Sequence, residues 1–219
     1  MAGILGYGAY IPFNRLQRAA IGAALETRPG KGERAVASSD EDTVTLAVES
    51  SHTALHSRHD VKPSSILFAT TDPPYQEKLN AATIHAALDL PAAVRAQDLG
   101  GSTRAGLSTL LLAADAADKA PVLAALADVR IGAPEGAAEQ SGGDAAVAFL
   151  FGTDNPIAEI EASYSETLEH QAQWRVPGER FNHVWEERFA LTQIYGPLLV
   201  NGAKGALAAA GITGADLAA

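Results

Sequence analysis

The chain has 219 residues, of which 47% are hydrophobic and 19% charged, and its formal net charge is −10. This composition excludes a disordered chain, and the negative charge argues against general binding to nucleic acid or to an anionic membrane. The chain contains no cysteine, which excludes disulfides, thiolate metal sites and a cysteine nucleophile.

The N-terminus lacks the pattern of an export signal. Residues 1–13 carry no basic residue ahead of their apolar part, whereas a secretory signal needs a positively charged start. No run in the sequence approaches the ~18 uncharged apolar residues of a membrane span. The sequence therefore predicts a cytoplasmic protein that neither crosses nor binds a membrane.

Strands and helices are predicted to alternate along the first three quarters of the chain. The predicted elements, in order, are a strand at 3–11, a helix at 15–25, a loop at 27–39, a helix at 39–57, a strand at 65–70, a helix at 78–88, a strand at 94–99, a helix at 102–118, a strand at 121–127, a loop at 128–143, a strand at 144–151 and an edge strand at 157–164. Such alternation predicts an α/β domain with right-handed crossover connections.

The helix at 39–57 has a recognisable start. Ser39 or Asp40 is expected to be its N-cap, because short polar side chains at that position accept hydrogen bonds from the first backbone N–H groups. Three acidic residues, Asp40 to Asp42, follow in its first turn and suit the positive end of the helix dipole. A turn is predicted at Gly142-Gly143-Asp144, where the chain enters the strand at 144–151.

The stretch 94–118 is predicted to be the centre of the fold, as a buried strand, a Gly-Gly turn and a buried helix. The helix carries no charge over residues 105–114, and a helix that is apolar all round is usually buried. Its first turn is expected to contain Ser102, Thr103 and Arg104. Hydroxyls and backbone N–H groups would then lie at a positive helix terminus, which suits a nucleophile or an acyl oxygen.

The last quarter of the chain differs in character. The stretch 174–188 is charged and aromatic, and residues 188–210 predict a helix that is interrupted near Gly196-Pro197. The sequence thus predicts a first domain over residues 1–165 and a second segment, a linker followed by helices, over residues 166–219.

Six features in the right order carry a resemblance to a known family. They are Glu33-Arg34, SDEDTVTLAVES at 39–50, ILFATT at 66–71, AQDLGGSTRAG at 96–106, DVRIG and EQSGGDAAVAFLFG between 128 and 152, and WRVPGERFNHVWEERF at 174–189. Together they resemble the thiolase superfamily, in the branch that holds hydroxymethylglutaryl-CoA synthase and β-ketoacyl-ACP synthase III. The last feature is similar to bacterial members of that branch that are linked to an OB-fold partner.

The resemblance implies a fold of two similar βαβαβαββ halves. Residues 1–165 would form one thiolase-like α/β half, in which helices cover a mixed five-stranded sheet. Residues 166–219 would hold the opening helices of the second half, whose strands and catalytic histidine are expected beyond Ala219. Either the chain is a fragment or a split subunit, or another chain supplies the missing half.

The resemblance also implies that two of the family's catalytic groups are altered. The cysteine nucleophile falls at Thr103, five residues after Asp98. The glutamate base of hydroxymethylglutaryl-CoA synthase falls on or near Thr71, and the adjacent Asp72 could serve after a shift of one residue. A helix terminus lowers the pKa of a thiol into the range that yields thiolate, whereas a threonine hydroxyl stays protonated and needs a positioned base.

Each candidate residue has a structural alternative. Thr103 is either part of an acyl-binding site or a hydroxyl that caps the helix, and Asp72, which precedes two prolines, is either a base or a turn aspartate. Arg104 either contacts a CoA phosphate or is solvated or ion-paired. His52 and His56 have an i,i+4 spacing that is compatible with a metal, but without a glutamate neighbour they favour an exposed helix face.

Three hypotheses about function follow from the resemblance. The first is a thiolase-fold protein of the acyl-CoA condensing type, an acyltransferase of lipid metabolism that lacks its nucleophile and second half and is inactive alone. The second is a non-catalytic oligomerisation or interaction subunit. The third is one part of a cysteine-independent thiolase-like aldolase with an OB-fold partner.

A protein partner is expected under every hypothesis, whereas turnover of acyl-CoA is not expected of the non-catalytic subunit. The chain should form a homo-oligomer or a heteromer with a second thiolase-like half or an OB-fold protein. Acyl-CoA is the expected small-molecule ligand, as a substrate, and neither a metal nor a resident cofactor is predicted.

Overall fold

The computed structural model, which describes residues 2–217, divides between Glu159 and Ile160 into two units. The division that the sequence predicts, after residue 165, falls a few residues later and stays a prediction. The elements of the first unit are, in chain order, β1 (Gly3–Tyr10), β2 (Asn14–Gln17), α1 (Arg18–Ala24), β3 (Glu33–Val36), α2 (Thr43–Ser57), β4 (Ser65–Ala69), α3 (Asn80–Ala87), β5 (Arg95–Leu99), α4 (Ala105–Ala117), β6 (Val122–Asp128), α5 (Ala137–Ser141), β7 (Ala145–Gly152) and β8 (Ala158–Glu159).

One mixed sheet organises the first unit, with the strand order β5-β4-β6-β7-β1-β8. Strand β4 runs parallel to β5 and β6, whereas β7 is antiparallel to β6 and β1. The predicted α/β class and mixed sheet are confirmed. The edge strand expected over 157–164 is reduced to β8, which pairs only with Gly3 and Ile4.

The core forms where apolar strands are covered by helices. All five residues of β4 are buried, as expected for a parallel strand with neighbours on both edges and helices on both faces. Ile66 and Phe68 belong to a core cluster with residues of α2 and α3, and Leu123 and Ala125 of β6 belong to the same cluster. Helix α4 packs against β4, β6 and β7 but contributes no residue to that cluster. Helix α4 therefore covers the opposite face of the sheet.

Helix α2 begins later than the sequence predicts. Its N-cap is Asp42, whose Oδ1 accepts a hydrogen bond from the backbone N of Thr45 at 2.8 Å. The Thr45 hydroxyl in turn accepts from the backbone N of Asp42 at 2.7 Å, which completes a reciprocal capping box. The prediction of Ser39 or Asp40 as the cap is therefore wrong, because the helix that satisfies both donors begins at Thr43.

A small two-stranded antiparallel sheet, whose strands are separated in sequence by α1, replaces part of the helix and loop predicted near the N-terminus. Strands β2 and β3 pair antiparallel, from Asn14 opposite Val36 to Gln17 opposite Glu33. The helix predicted at 15–25 consequently begins only at Arg18. This pairing is non-local, so neither segment shows it in its own residue pattern.

The stretch predicted to be enclosed is exposed on one side. Strand β5 is the edge of the sheet and is mostly exposed, because it has a neighbour only in β4. Helix α4 buries one face, formed by Ala105, Thr109, Ala113 and Ala117. On its other side Leu107 is 60% and Leu112 is 48% exposed. The prediction of a buried strand and an enclosed helix is therefore corrected.

The second unit contains a short hairpin and an irregular helix. Its elements are β9 (Gln173–Trp174), β10 (His183–Val184), α6 (Glu187–Phe189), a π-helical turn (Ala190–Tyr195), α7 (Gly196–Ala210) and a 3₁₀ turn (Gly214–Asp216). The interruption predicted near Gly196-Pro197 is this π-helical turn. Gly211, with a φ of +71°, ends α7 in the left-handed conformation, which glycine adopts without strain.

None of the helices within residues 2–217 is long and apolar enough to cross a membrane. The cytoplasmic location inferred from the sequence stays a prediction.

Candidate functional site

A cavity of about 420 Å³ opens where the carboxyl ends of β4 and β6 meet the start of α4. Ligands of open α/β sheets bind outside the carboxyl ends of the strands, so the position is typical of a binding site. Its polar lining consists of Thr70, Thr71, Thr103 and Asp128. Its apolar lining consists of Ala9, Ile11, Ala69, Ala105, Gly106, Leu126, Ala127, Ala145, Ala146 and Val147.

Thr103 reaches this cavity from a turn that precedes α4. Gly101, with a φ of +85°, takes a conformation that a glycine adopts without strain. The Ser102 hydroxyl then accepts a hydrogen bond from the backbone N of Arg104 at 3.2 Å, and the Ser102 carbonyl accepts one from the backbone N of Ala105 at 3.1 Å. The expectation that Ser102, Thr103 and Arg104 form the first helical turn is therefore wrong, although Thr103 does lie at the helix start.

Asp128 fixes the turn that follows β4. Its Oδ1 accepts hydrogen bonds from the backbone N of Thr71 at 2.8 Å, from the Thr71 hydroxyl at 2.9 Å and from the Thr70 hydroxyl at 3.3 Å. The parallel register explains this contact, since Ala69 pairs with Leu126 and two further residues bring Thr71 opposite Asp128. The sheet thus holds a carboxylate and two hydroxyls together at the cavity.

Asp72 and Arg104 lie next to the cavity but do not line it. The backbone N of Asp72 donates to the Thr70 hydroxyl at 3.0 Å, and its carbonyl accepts from the Thr43 hydroxyl at 3.1 Å. Arg104 is exposed at the N-cap position of α4. The catalytic role of Asp72 and the CoA-binding role of Arg104 stay predictions.

Asp98, which precedes the Gly-Gly turn, stabilises the start of α3. Its two carboxylate oxygens accept hydrogen bonds from the backbone N of Asn80 and of Ala81, both at 2.7 Å. A carboxylate at a helix N-terminus satisfies donors that have no partner within the helix. This contact connects β5 to α3, so the role that the structure shows for Asp98 is to stabilise the fold.

A second cavity, of about 840 Å³, lies beside β1 and the end of α2 and is lined in part by Tyr7, Arg58, Asp60 and Asp154. Arg58 is 3.0 Å from Asp60 and 3.3 Å from Asp154. Its hydrogen bonds hold the pKa of the Asp60 carboxyl below the ordinary value, and the bond to Asp60 raises the pKa of Arg58. These charges neutralise one another rather than converge on a ligand.

Metal ligands do not cluster in the part of the chain that the structure describes. No group of three or more His, Cys, Asp or Glu side chains there could hold a metal ion. The rings of His52 and His56 stack with centroids 5.3 Å apart on an exposed face of α2.

Two groups of residues were missed by the sequence reasoning. Asp128 was named only as part of the DVRIG segment of the resemblance. Its place at the end of an apolar strand is the sequence signal by which it could have been found. Arg34 and Asp144, which form a buried ion pair, fall in two other segments of the resemblance. A glutamate-arginine dipeptide and a turn aspartate do not by themselves predict that contact.

Comparison with known proteins extends over almost the whole chain. No family model matches it. The hydroxymethylglutaryl-CoA synthase of Methanocaldococcus jannaschii is 33% identical over 218 residues, which cover 94% of this chain and 63% of that protein. The hydroxymethylglutaryl-CoA synthase of Methanobrevibacter smithii is 31% identical over 194 residues, 83% of this chain and 56% of that protein. The chain therefore spans less than two thirds of the length of these relatives.

Solved structures show the same fold. A hydroxymethylglutaryl-CoA synthase complexed with CoA superposes with a TM-score of 0.87 at 19% identity, covering 99% of this chain and 58% of that one. The 3-oxoacyl-(acyl carrier protein) synthase III of Pseudomonas aeruginosa PAO1 superposes with a TM-score of 0.82 at 21% identity, covering 99% of this chain and 73% of that one. The chain has the thiolase-like fold that these hydroxymethylglutaryl-CoA synthase and synthase III structures share. It corresponds to the N-terminal half of that fold, and the resemblance drawn from the sequence is confirmed.

This thiolase-like chain contains no cysteine. No thiol of the chain can therefore reach the cavity, whose polar lining consists of threonines and one aspartate. Threonine hydroxyls are poor nucleophiles without an adjacent base. The assignment of Thr103 as the position of the family's nucleophile stays a prediction.

Proposed function

We propose that the chain is the acyl-thioester-binding half of a thiolase-like protein and that it binds its thioester without forming an acyl-enzyme. The observation that carries the proposal is the position of Thr103, at the start of α4 and in the wall of the cavity. A hydroxyl there can donate a hydrogen bond to a thioester oxygen. It does not ionise near neutral pH as a thiol at a helix terminus does.

The lining of the cavity suits an acyl group. Most of its apolar residues are alanines, and Ile11, Leu126 and Val147 are the larger ones, so an acyl chain can be buried against apolar side chains. The Thr103 hydroxyl can donate to the carbonyl oxygen of the thioester, whereas Asp128 can only accept from a donor on the ligand. Such a combination of an apolar wall and a few polar groups is typical of small-molecule sites. One structural neighbour was solved as a complex with CoA, which supports the thioester class.

The reaction of the complete protein would make or break a carbon–carbon bond on an acyl thioester. A condensation through an acyl-enzyme needs a nucleophile that this half lacks. An aldol-type cleavage needs no covalent attachment: a base takes the proton of a hydroxyl on the acyl group, that carbon becomes a carbonyl, and the electrons of the broken bond pass to an enolate of the thioester, which is then protonated. The chain would be inactive by itself and would depend on a second thiolase-like half, with or without an OB-fold partner.

Two measurements with a radiolabelled acyl-CoA test the proposal. Mass spectrometry after incubation detects a covalent adduct, and a thermal-shift titration detects reversible binding. We expect saturable stabilisation and no covalent mass increase. Ligand at ~100 times its Kd should add about 2.7 kcal/mol to the free energy of unfolding. The Gly106→Val variant tests whether the ligand binds in this cavity. A Cβ at Gly106 already comes 3.0 Å from Leu126 Cδ2, so the valine side chain should narrow the cavity and reduce the stabilisation by ligand. A stable covalent adduct, or no binding, would contradict the proposal.

A second candidate function is that of a non-catalytic interaction subunit. It is favoured by the exposed face of α4, where Leu107 and Leu112 are about half exposed or more on a helix without charge from Ala105 to Ala114. Exposed apolar surface of this kind is typical of a protein interface. The partner would be a second thiolase-like half.

Light scattering tests this second function. The molecular mass is measured for the chain alone and for its mixture with a thiolase-like second half. The same measurements are made on the double variant Leu107→Gln, Leu112→Gln. We expect a stable complex that the double variant abolishes. A Leu168→Gln variant, which changes another exposed leucine, should leave the complex intact. Absence of any complex would contradict the interaction function and leave the thioester-binding proposal standing.

A further inference from the structure

Asp128 is the carboxylate of a cavity that is otherwise lined by apolar groups and threonines. Its side chain is 34% exposed, so the charge is partly removed from water. A carboxylate accepts hydrogen bonds at both oxygens and donates none when ionised. Its presence in an acyl-binding cavity therefore favours a ligand that brings a hydrogen-bond donor.

The two oxygens of Asp128 have different surroundings. Oδ1 accepts three hydrogen bonds, two from Thr71 and one from Thr70, which fixes the orientation of the carboxyl group. Oδ2 lies 3.5 Å from Nη2 of Arg130, beyond the usual length of a direct hydrogen bond. Oδ2 thus retains capacity to accept a hydrogen bond from a ligand, in an orientation that the Thr70-Thr71 turn holds rigid.

We propose that Asp128 is a specificity-determining residue that selects acyl thioesters carrying a hydroxyl on the acyl group. The hydroxyl donates to Oδ2, while the alanine-rich wall contacts the rest of the acyl chain. The inference rests on the proposed thioester-binding function and deepens it. Discrimination follows because a ligand without the hydroxyl covers the carboxylate with apolar surface and leaves it short of a donor.

The experiment compares the affinities of two matched CoA thioesters, butyryl-CoA and 3-hydroxybutyryl-CoA, by calorimetry with the full chain. We expect the hydroxyl to raise the affinity of the wild type about ten-fold, the effect of one hydrogen bond to a charged group. In Asp128→Asn the preference should fall to about three-fold or less, in part because butyryl-CoA should bind more tightly once it no longer covers a charged carboxylate. Asparagine can still accept the bonds from Thr71, which keeps the turn in place.

Two further variants separate recognition from folding. Arg130→Gln retains the carboxylate and removes its cation, so the preference for the hydroxyl should be kept or increased. Asp118→Asn, at the exposed end of α4, changes the same charge away from the cavity and should leave both affinities unchanged. Thermal unfolding of each variant shows that the fold is retained.

The outcomes distinguish this inference from the proposed function. Equal affinity of the wild type for the two thioesters, or an unchanged preference in Asp128→Asn, would overturn the role of Asp128 and leave thioester binding intact. Failure of both thioesters to bind the wild type would overturn the proposed function and this inference together.

Discussion

The guanidinium of Arg34 and the carboxylate of Asp144 form an ion pair in the interior of the first unit, with Nη2 3.5 Å from Oδ1 and side chains that are 7% and 3% exposed. Each partner is further satisfied by the main chain. Arg34 donates to the carbonyls of Glu139 and Arg130, both at 2.7 Å, and Asp144 accepts from the backbone N of Arg130 and of Ala37, both at 2.8 Å. The pair thereby joins β3, the segment after β6 and the start of β7.

Removing one partner of this pair should strongly destabilise the protein. Asp144→Ala would leave the Arg34 charge buried without its counter-ion, and we expect the free energy of unfolding to fall by about 3–5 kcal/mol. Asp154→Ala is the matched control, because Asp154 also pairs with an arginine but is 83% exposed, and its loss should cost at most about 1 kcal/mol. Urea unfolding of both variants measures the difference, and equal losses would refute the structural role of Asp144.

Gly8 marks a close approach between β1 and α2. A Cβ on this residue would lie 2.2 Å from the carbonyl oxygen of Ser50 and 2.6 Å from the backbone N of Ala54. Because both obstacles are main-chain atoms, Gly8→Ala should force the helix away from the strand and cost about 1–3 kcal/mol. Gly143→Ala is the control, since a Cβ there meets nothing within 4 Å. A Gly8→Ala protein as stable as the wild type in thermal unfolding would disprove the contact.

Introducing a thiol at residue 103 should show whether the start of α4 activates a nucleophile. The chain has no other cysteine, so any thiol reaction of Thr103→Cys reports that position alone. The positive end of α4 should lower the pKa of the new thiol and speed its alkylation at neutral pH relative to a cysteine placed on an exposed helix face, such as Thr53→Cys. Alkylation rates as a function of pH give both pKa values. Identical profiles would show that the helix start has no such effect.

Acid should weaken a contact at the start of α2. The backbone N–H of Ser38, which is 2.8 Å from Oε2 of Glu41, and then the Tyr10 hydroxyl hold the pKa of the Glu41 carboxyl below its ordinary value. Since the folded-state pKa is below the unfolded one, the contribution of Glu41 is complete above pH ~4.3 and is lost as the pH falls through the folded-state pKa.

The Glu41→Gln variant should therefore be less stable than the wild type at pH 7, and the difference should shrink towards pH 3. Urea unfolding at several pH values measures it. Tyr10→Phe should reduce the pH dependence only in part, because the bond from Ser38 remains. A difference that does not change with pH would mean that ionisation of Glu41 is not linked to folding.

Periodicity predicted the sheet because its strands are continuous apolar runs. Strands β4, β6 and β7 fall within one or two residues of their predicted positions. Strand β2 was missed, since its four residues are all exposed and only pairing with β3 makes them a strand. The prediction that α4 is enclosed was wrong. An apolar sequence indicates that a helix surface is suited to burial, but it does not indicate whether other residues of the chain cover that surface.

The candidate site was predictable in part. Thr103 was found from the Gly-Gly turn and the uncharged helix that follows, and these are local signals. The contact between Asp128 and Thr71 depends on the register of two parallel strands, and no local pattern encodes that register. The ion pair of Arg34 with Asp144 likewise joins residues far apart in the sequence, which only the folded sheet brings together.

The π-helical turn between α6 and α7 changes the rotation of one helix relative to the other about their common axis. Pro197 has no N–H to offer an upstream carbonyl, and the backbone N of Gly196 instead bonds to the carbonyl of Leu191, five residues earlier. One extra residue in a turn rotates everything upstream by about 100° about the axis. Deleting a single residue from Ala190–Tyr195 would therefore move Phe189 to a different face of the helix relative to Leu199. The number of residues in this turn thus determines the relative rotation of the two helical segments.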